Sequence, residues 1–162
     1  MPEFSDAPAL QVSRWFNTPE PITLESLRGR VVALHAFQML CPGCVAHGLP
    51  QARRLRQVFS GEKFAMIGLH TVFEHHEVMN DEALQVFINE YHLDFPIGVD
   101  QAGGFDGVPR TMHALALRGT PSLVLLDKQS RIRFSHFGQV DDMTLGAAVG
   151  RLLSEDATQT AP

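Results

Sequence analysis

Only two cysteines occur in the 162 residues, Cys41 and Cys44, which excludes a zinc site built from four cysteines. A purely structural disulfide between them would close a very short loop and add little stability. No dense run of lysine or arginine appears and the formal net charge is −5, so neither nucleic acid nor an anionic membrane suits this surface as a partner. Arg53, Arg54 and Arg56 read as the solvated face of a helix. The opening residues Met1-Pro2-Glu3-Phe4-Ser5-Asp6 lack a basic region followed by an apolar stretch. Neither a secretory signal nor a membrane anchor is written there, and the expectation is a cytoplasmic protein, or a periplasmic one if these residues follow a removed leader. No internal repeat is present. With 44% hydrophobic residues the chain can bury a sizeable core, and residues 1–162 are expected to form one globular domain.

What is present is Cys41-Pro42-Gly43-Cys44, placed where the apolar run Val31 to Leu40 gives way to helix-like spacing. Two intervening residues bring both sulfurs within disulfide reach when the second cysteine lies in the first turn of a helix. Cys41 then sits at the helix N-terminus, where unpaired N–H groups and the positive end of the helix dipole stabilise a thiolate. Cys41 is therefore the expected nucleophile, and Cys44, one turn deeper, the resolving thiol. Pro42 suits the first helical position because its missing N–H would be unpaired anyway. Gly43 keeps the sulfurs open to a partner. The same spacing can also supply two zinc or copper ligands, but its position between a strand and a helix favours thiol-disulfide chemistry. Cysteines confined to such a motif fit a reducing compartment.

Along the chain, Asn17 to Pro21 reads as a turn and Thr23 to Leu27 as a short helix ending at Gly29. Val31 to Phe37 is apolar and β-branched enough for a buried strand. Val45, Leu49, Ala52, Leu55 and Phe59 have helical spacing, interrupted by Pro50, which should kink the helix. Phe64 to Leu69 is the next buried strand. Asn80 can cap a helix carrying Asp81 and Glu82 in its first turn and Leu84, Phe87, Ile88 and Tyr91 on one face. A short strand from Phe95 to Val99, a glycine-rich loop from Gly103 to Gly107 and a short helix from Pro109 to Leu117 follow. Ser122 to Leu126 and Ile132 to Phe137 form a hairpin about Asp127-Lys128-Gln129-Ser130, and Asp141 to Leu153 is the last helix. Ser154 to Pro162 is a polar tail expected to fray. The order describes an α/β fold, a sheet with helices on both faces.

With the elements in this order, the chain resembles the thioredoxin superfamily, and within it the TlpA/ResA-type proteins and related redoxin domains. The resemblance covers about Leu24 to Leu153. It is carried by the strand leading into Cys41-Pro42-Gly43-Cys44, by Leu117-Arg118-Gly119-Thr120-Pro121-Ser122, and by the strand-turn-strand from Leu123 to Ile132. It implies a thioredoxin-like fold with a central mixed β-sheet flanked by helices, and a strand-helix insertion at about Thr71 to Asp100. It implies a cis Thr120–Pro121 bond beside Cys41, with Thr120, Pro42 and Gly43 on the substrate side. It also places His35, six residues before Cys41, where thioredoxins carry a buried acid that relays a proton to the inner cysteine. A histidine there can do similar work, or can be a hydrogen-bonded core residue. No bound cofactor is required, and the partners implied are protein or small-molecule thiols and disulfides, with oligomeric state left open.

Two departures mark this chain. Leu40, preceded by Met39, stands where the family usually has tryptophan before the first cysteine. Pro50 lies one residue further from Cys44 than the family's helix-kinking proline, which implies a local bulge or a changed register. Among the other polar residues, His47 can influence the thiols electrostatically or simply belong to the exposed helix face, and Glu74-His75-His76-Glu77 can bind a divalent metal but reads better as a solvated or partner-facing loop. Adjacent histidines on extended backbone point in opposite directions and share a metal poorly. His70, His92, His113 and His136 show no ligand spacing. Two other functions compete. A peroxiredoxin-like peroxidase would need proline and threonine where this chain has Leu34 and Gln38. A Cu(I)-binding or delivery module would use the Met-x-Cys-x-x-Cys loop of Met39, Cys41 and Cys44.

Overall fold

The computed structural model describes residues 3–103 and 106–156; Gly104 and Phe105 of the glycine-rich loop and most of the polar tail lie outside them. Six strands form one sheet in the order β1-β4-β3-β2-β5-β6. They are β1 (Val12–Phe16), β2 (Val31–Phe37), β3 (Phe64–His70), β4 (Ile97–Asp100), β5 (Ser122–Leu126) and β6 (Ile132–Phe137). β2, β3 and β4 run parallel, while β1, β5 and β6 pair antiparallel to their neighbours. The mixed sheet is flanked by helices α1 (Leu49–Val58), α2 (Asp81–Glu90), α3 (Arg110–Ala114) and α4 (Asp142–Ser154).

β2 and β3 are buried at every position, as central parallel strands covered on both faces should be. Successive side chains of β2 point to opposite faces. Val31, Ala33 and Phe37 enter the layer built with Leu49, Ala52, Leu84, Ile88 and Val149 of the helices. Val32 and Leu34 enter a second layer with Leu24, Leu27 and Ile67, against which Trp15, Leu115 and Leu117 pack. His35 falls in β2 and is buried.

The sheet begins earlier than the resemblance implies: that resemblance covers about Leu24 to Leu153, yet β1 precedes it and pairs with β4. Gly98 permits this, since a Cβ there would stand 3.0 Å from Val12 and 3.2 Å from the Trp15 ring. The expected strand at Phe95 to Val99 runs Ile97–Asp100, and the helix expected from Pro109 to Leu117 covers only Arg110–Ala114. Asp100 explains that second start: its carboxylate accepts from the N–H groups of Thr111 and Met112, at 2.8 and 2.9 Å, and from Thr71 Oγ1 at 3.0 Å. Burial pushes the Asp100 carboxyl up, against the pull of these donors. The short helix expected at Thr23 to Leu27 is a 3₁₀ turn at Glu25–Leu27.

The helix after the cysteines departs from a simple kink. Cys44–Gly48 is a π-turn, in which the Leu49 N–H reaches Cys44 O five residues back, and α1 follows with Pro50 in its first turn. The turn absorbs the extra residue between Cys44 and Pro50, and a proline so near a helix start forfeits little hydrogen bonding. No helix among the described residues is long and apolar enough to cross a membrane.

Candidate active site around Cys41 and Cys44

β2 delivers the Cys41 loop at its carboxyl end, and the segment after α3 delivers Thr120 and Pro121 opposite. Both cysteines are free thiols, Cys41 half-buried and Cys44 fully buried. Cys41 Sγ accepts from the Cys44 N–H at 3.2 Å and approaches Thr120 O at 3.5 Å. Burial, reinforced by the hydrogen bond to Cys41, pushes the Cys44 thiol up to about 12, against smaller opposing contributions from Gln38 and Thr120. Cys44 therefore holds its proton at neutral pH, whereas Cys41 is the sulfur that solvent and a partner can reach.

The Thr120–Pro121 bond is cis. A Cβ added at Gly43 would lie 3.3 Å from Pro121 Cδ, and one at Gly48 3.2 Å from Pro121 Cβ. The proline ring thus packs along the helix start on both sides of Cys44. Pro42 is exposed and Gly43 half-buried. Leu40, in the place of the family's tryptophan, is exposed to 58%.

His35 lies beneath this arrangement. A Cβ at Gly48 would come within 2.5 Å of His35 Cε1 and 2.8 Å of Nε2, so the glycine makes room for the ring. The ring stacks near parallel on Phe37 at 6.0 Å. The expected hydrogen-bonded core histidine is corrected in one respect: Nε2 is buried without a partner among the described residues. His35 and Gly48 line a polar cleft of about 330 Å³ together with His47, Gln51, Arg54 and Pro121. Burial holds the His35 imidazole down at about 4, so it is neutral at pH 7.

Three contributors were not singled out from the sequence. His70 ends β3 opposite Phe37 and its Nε2 accepts from the Met39 N–H at 3.3 Å, anchoring the approach to Cys41; burial holds it down at about 4. A histidine closing an apolar strand was the available signal. Gln38 is 1% exposed, its carbonyl accepts from the Cys41 N–H at 3.2 Å, and its side chain meets Phe73, Glu74 and Thr120. A buried amide just before the motif was visible, but its partners were not. Gly48 had no sequence signal, because its requirement comes from a ring in another element. Glu74, His75, His76 and Glu77 are all exposed, and no group of three or more His, Cys, Asp or Glu able to hold a metal occurs among the described residues.

This sheet order, with a cysteine pair at a helix start facing a cis-proline, defines a thioredoxin-like protein. The redoxin family model matches residues 1–149, and the chain belongs to the redoxin family. Protein DipZ of Mycobacterium bovis and that of Mycobacterium tuberculosis are each 28% identical over 152 residues, 92% of this chain and 21% of theirs. The chain thus spans 21% of the length of the curated relatives it matches. Among solved structures, a thioredoxin-like superfamily protein aligns at a TM-score of 0.92 with 51% identity, covering 94% of this chain and 98% of the other. A thiol-disulfide isomerase from Corynebacterium glutamicum aligns at 0.88 with 49% identity, covering 93% and 98%.

Proposed function

We propose that the protein is a thiol-disulfide oxidoreductase that exchanges the Cys41/Cys44 pair with protein or small-molecule thiols and disulfides. The observation that carries this reading is the division of labour between the sulfurs: half-exposed Cys41 beside Thr120 O, and buried, protonated Cys44 one turn inside. In the reducing direction the Cys41 thiolate attacks a substrate disulfide, a mixed disulfide forms, and the first substrate thiolate leaves and takes up a proton. Cys44 then attacks Cys41 Sγ, and its proton passes through solvent to the second substrate sulfur as that sulfur leaves. The Cys41–Cys44 disulfide forms, and two electrons have passed to the substrate; the reverse sequence oxidises a dithiol. Thr120 and Pro121 form the wall that a substrate segment lies against, with Pro42 and Gly43 on the opposite lip. A compartment that keeps thiols reduced suits a chain whose only cysteines are the exchanging pair.

The resemblance placed His35 as a proton relay. An imidazole held near 4 is a weak base for a thiol held near 12, and its ring packs directly under Gly48 and Pro121's helix contact. We therefore assign His35 as a positioning residue. The similarity to the C. glutamicum isomerase at 49% identity supports the exchange reading. Of the competing readings, the peroxidase lacks the activating threonine: Gln38 stands there with its amide engaged elsewhere. For the copper reading, Met39 is buried with its N–H on His70.

The test is trapping. Cys44→Ser should accumulate mixed disulfides through Cys41, visible as thiol-reversible adducts by mass, while Cys41→Ser should form none. The wild-type couple should titrate as a single two-electron transition between about −270 and −120 mV, the span from thioredoxin to DsbA. Absence of any intramolecular disulfide at every poise would sink the exchange mechanism.

A further inference from the structure

The Gln38 side chain ties together three loops at the rim of the site. Buried to 1% exposure, it has little access to water, and its amide is satisfied by protein. Its Oε1 accepts from the Phe73 N–H at 3.2 Å. A backbone N–H can only donate, so this contact fixes which end of the amide is oxygen. The NH₂ end is thereby turned to Glu74 Oε1 and Thr120 Oγ1, each at 3.4 Å. An exposed carboxylate is thus held on the same amide nitrogen as the residue that precedes the cis-proline. Among the described residues Glu74 has no cation in ion-pair range. Its hydrogen-bond partner among the described residues is a neutral amide shared with Thr120, which leaves its charge unneutralised on the Thr120 side of the site.

We propose that Glu74, oriented by Gln38, is a specificity-determining residue that favours substrates carrying lysine or arginine beside the reacting cysteine. This rests on the reading of Cys41 and Thr120 given above. A charge at a solvated rim changes encounter and selectivity more than affinity, so the preference is modest, about three- to fivefold, and shrinks as salt is added. Gln38 acts through Glu74 and Thr120 and is a positioning residue.

The experiment uses the reduced full chain and three disulfide-linked peptide dimers that differ only in having Lys, Gln or Glu on both sides of the cysteine. Second-order rate constants for their reduction are measured in single turnover and divided by the rates with dithiothreitol, which removes the peptides' intrinsic reactivity. The net charge of −5 favours cationic peptides at long range in any case. Glu25→Gln, on the distant 3₁₀ turn, serves as the control for that overall charge. Wild type should prefer the Lys dimer over the Glu dimer about three- to fivefold at low salt. Glu74→Gln should remove most of the preference and leave only what the overall charge supplies, Glu74→Lys should lower the ratio further, and Glu25→Gln should leave most of it. Gln38→Met, which keeps volume and removes the amide, should lower the ratio while the Lys dimer still reacts. Equal normalised rates in wild type, or the same ratio in Glu74→Gln as in Glu25→Gln, would overturn the proposal and leave the exchange mechanism standing. No reaction with any dimer would overturn both.

Discussion

His35 and His70 are neutral because burial holds both down at about 4, against an ordinary 6.5. As pH falls the unfolded chain therefore takes up these protons first. Their contribution to stability is complete above pH 6.5, is lost progressively between 6.5 and about 4, and is flat below. Each histidine can account for up to roughly 3 kcal/mol of that loss. Urea midpoints at pH 7.5 and 4.5 should differ more for wild type than for His70→Gln, whose amide oxygen can still accept from Met39. His35→Gln should likewise flatten the profile, and a full wild-type pH dependence in both variants would remove the histidines as its cause. At Gly48 the argument is steric. A methyl group would come within 2.5 Å of a buried ring, which would have to shift, so Gly48→Ala should cost roughly 1–3 kcal/mol. Most of that cost should disappear when His35→Ala is added, because the two residues occupy one space. Additive losses in denaturant unfolding would contradict this. From the sequence, the importance of position 35 was legible through its distance from Cys41, whereas the unpaired Nε2 was not, since it depends on the cleft formed by three other segments.

At the scale of elements, strands and helices with a strong local pattern were the readable ones. Val31–Phe37 and the β5–β6 hairpin appear at the expected residues. The turn between the latter is held by Asp127, which is buried and paired with Arg131 and Arg133. The α2 start at Asn80 is equally local: Oδ1 accepts from the Ala83 N–H at 2.9 Å. Asn80→Ala should lower stability by about 1 kcal/mol, read from thermal or urea unfolding, with Asn80→Ser recovering most of it. A loss below a few tenths would mean that the cap is replaced by solvent. β1 was missed because its pattern is weak: Ser13 and Arg14 are exposed in the middle of Val12–Phe16, and what makes it a strand is β4, more than eighty positions away, with Gly98 bare beneath it. The π-turn was half legible, as an extra residue before Pro50. Its hydrogen bonding could not be assigned, because a kink, a bulge and a register shift satisfy the same spacing.

Across the whole molecule, β2, β3, β4 and β5 are flanked on both sides by other strands, and β1 and β6 are the edges. Sub-global openings should start from those edges. Hydrogen exchange should therefore be slowest for amides of β2 and β3 and faster for β1 and β6; equal protection of β1 and β2 would contradict the layout. The candidate site is assembled at one end of this frame from positions far apart in the chain, with Gln38 bonded to residues 36 and 82 positions on. The cysteine pair announced the chemistry, and the Gly-Thr-Pro segment its opposite wall. The polar ties between them required the sheet order, which brings β2, β3 and β5 side by side and so aligns the loops that follow or precede them. The π-turn bears on how this chain is compared with others. One helical residue corresponds to about 100° of rotation. If a relative with a regular helix is aligned through Cys44 without a gap, every position from Leu49 to Val58 is matched to a neighbour facing a different direction. A single-residue gap placed within Cys44–Gly48 restores the correspondence, and core substitutions, consensus designs and chimeras transferred across that boundary need it to carry their side chains to the intended face.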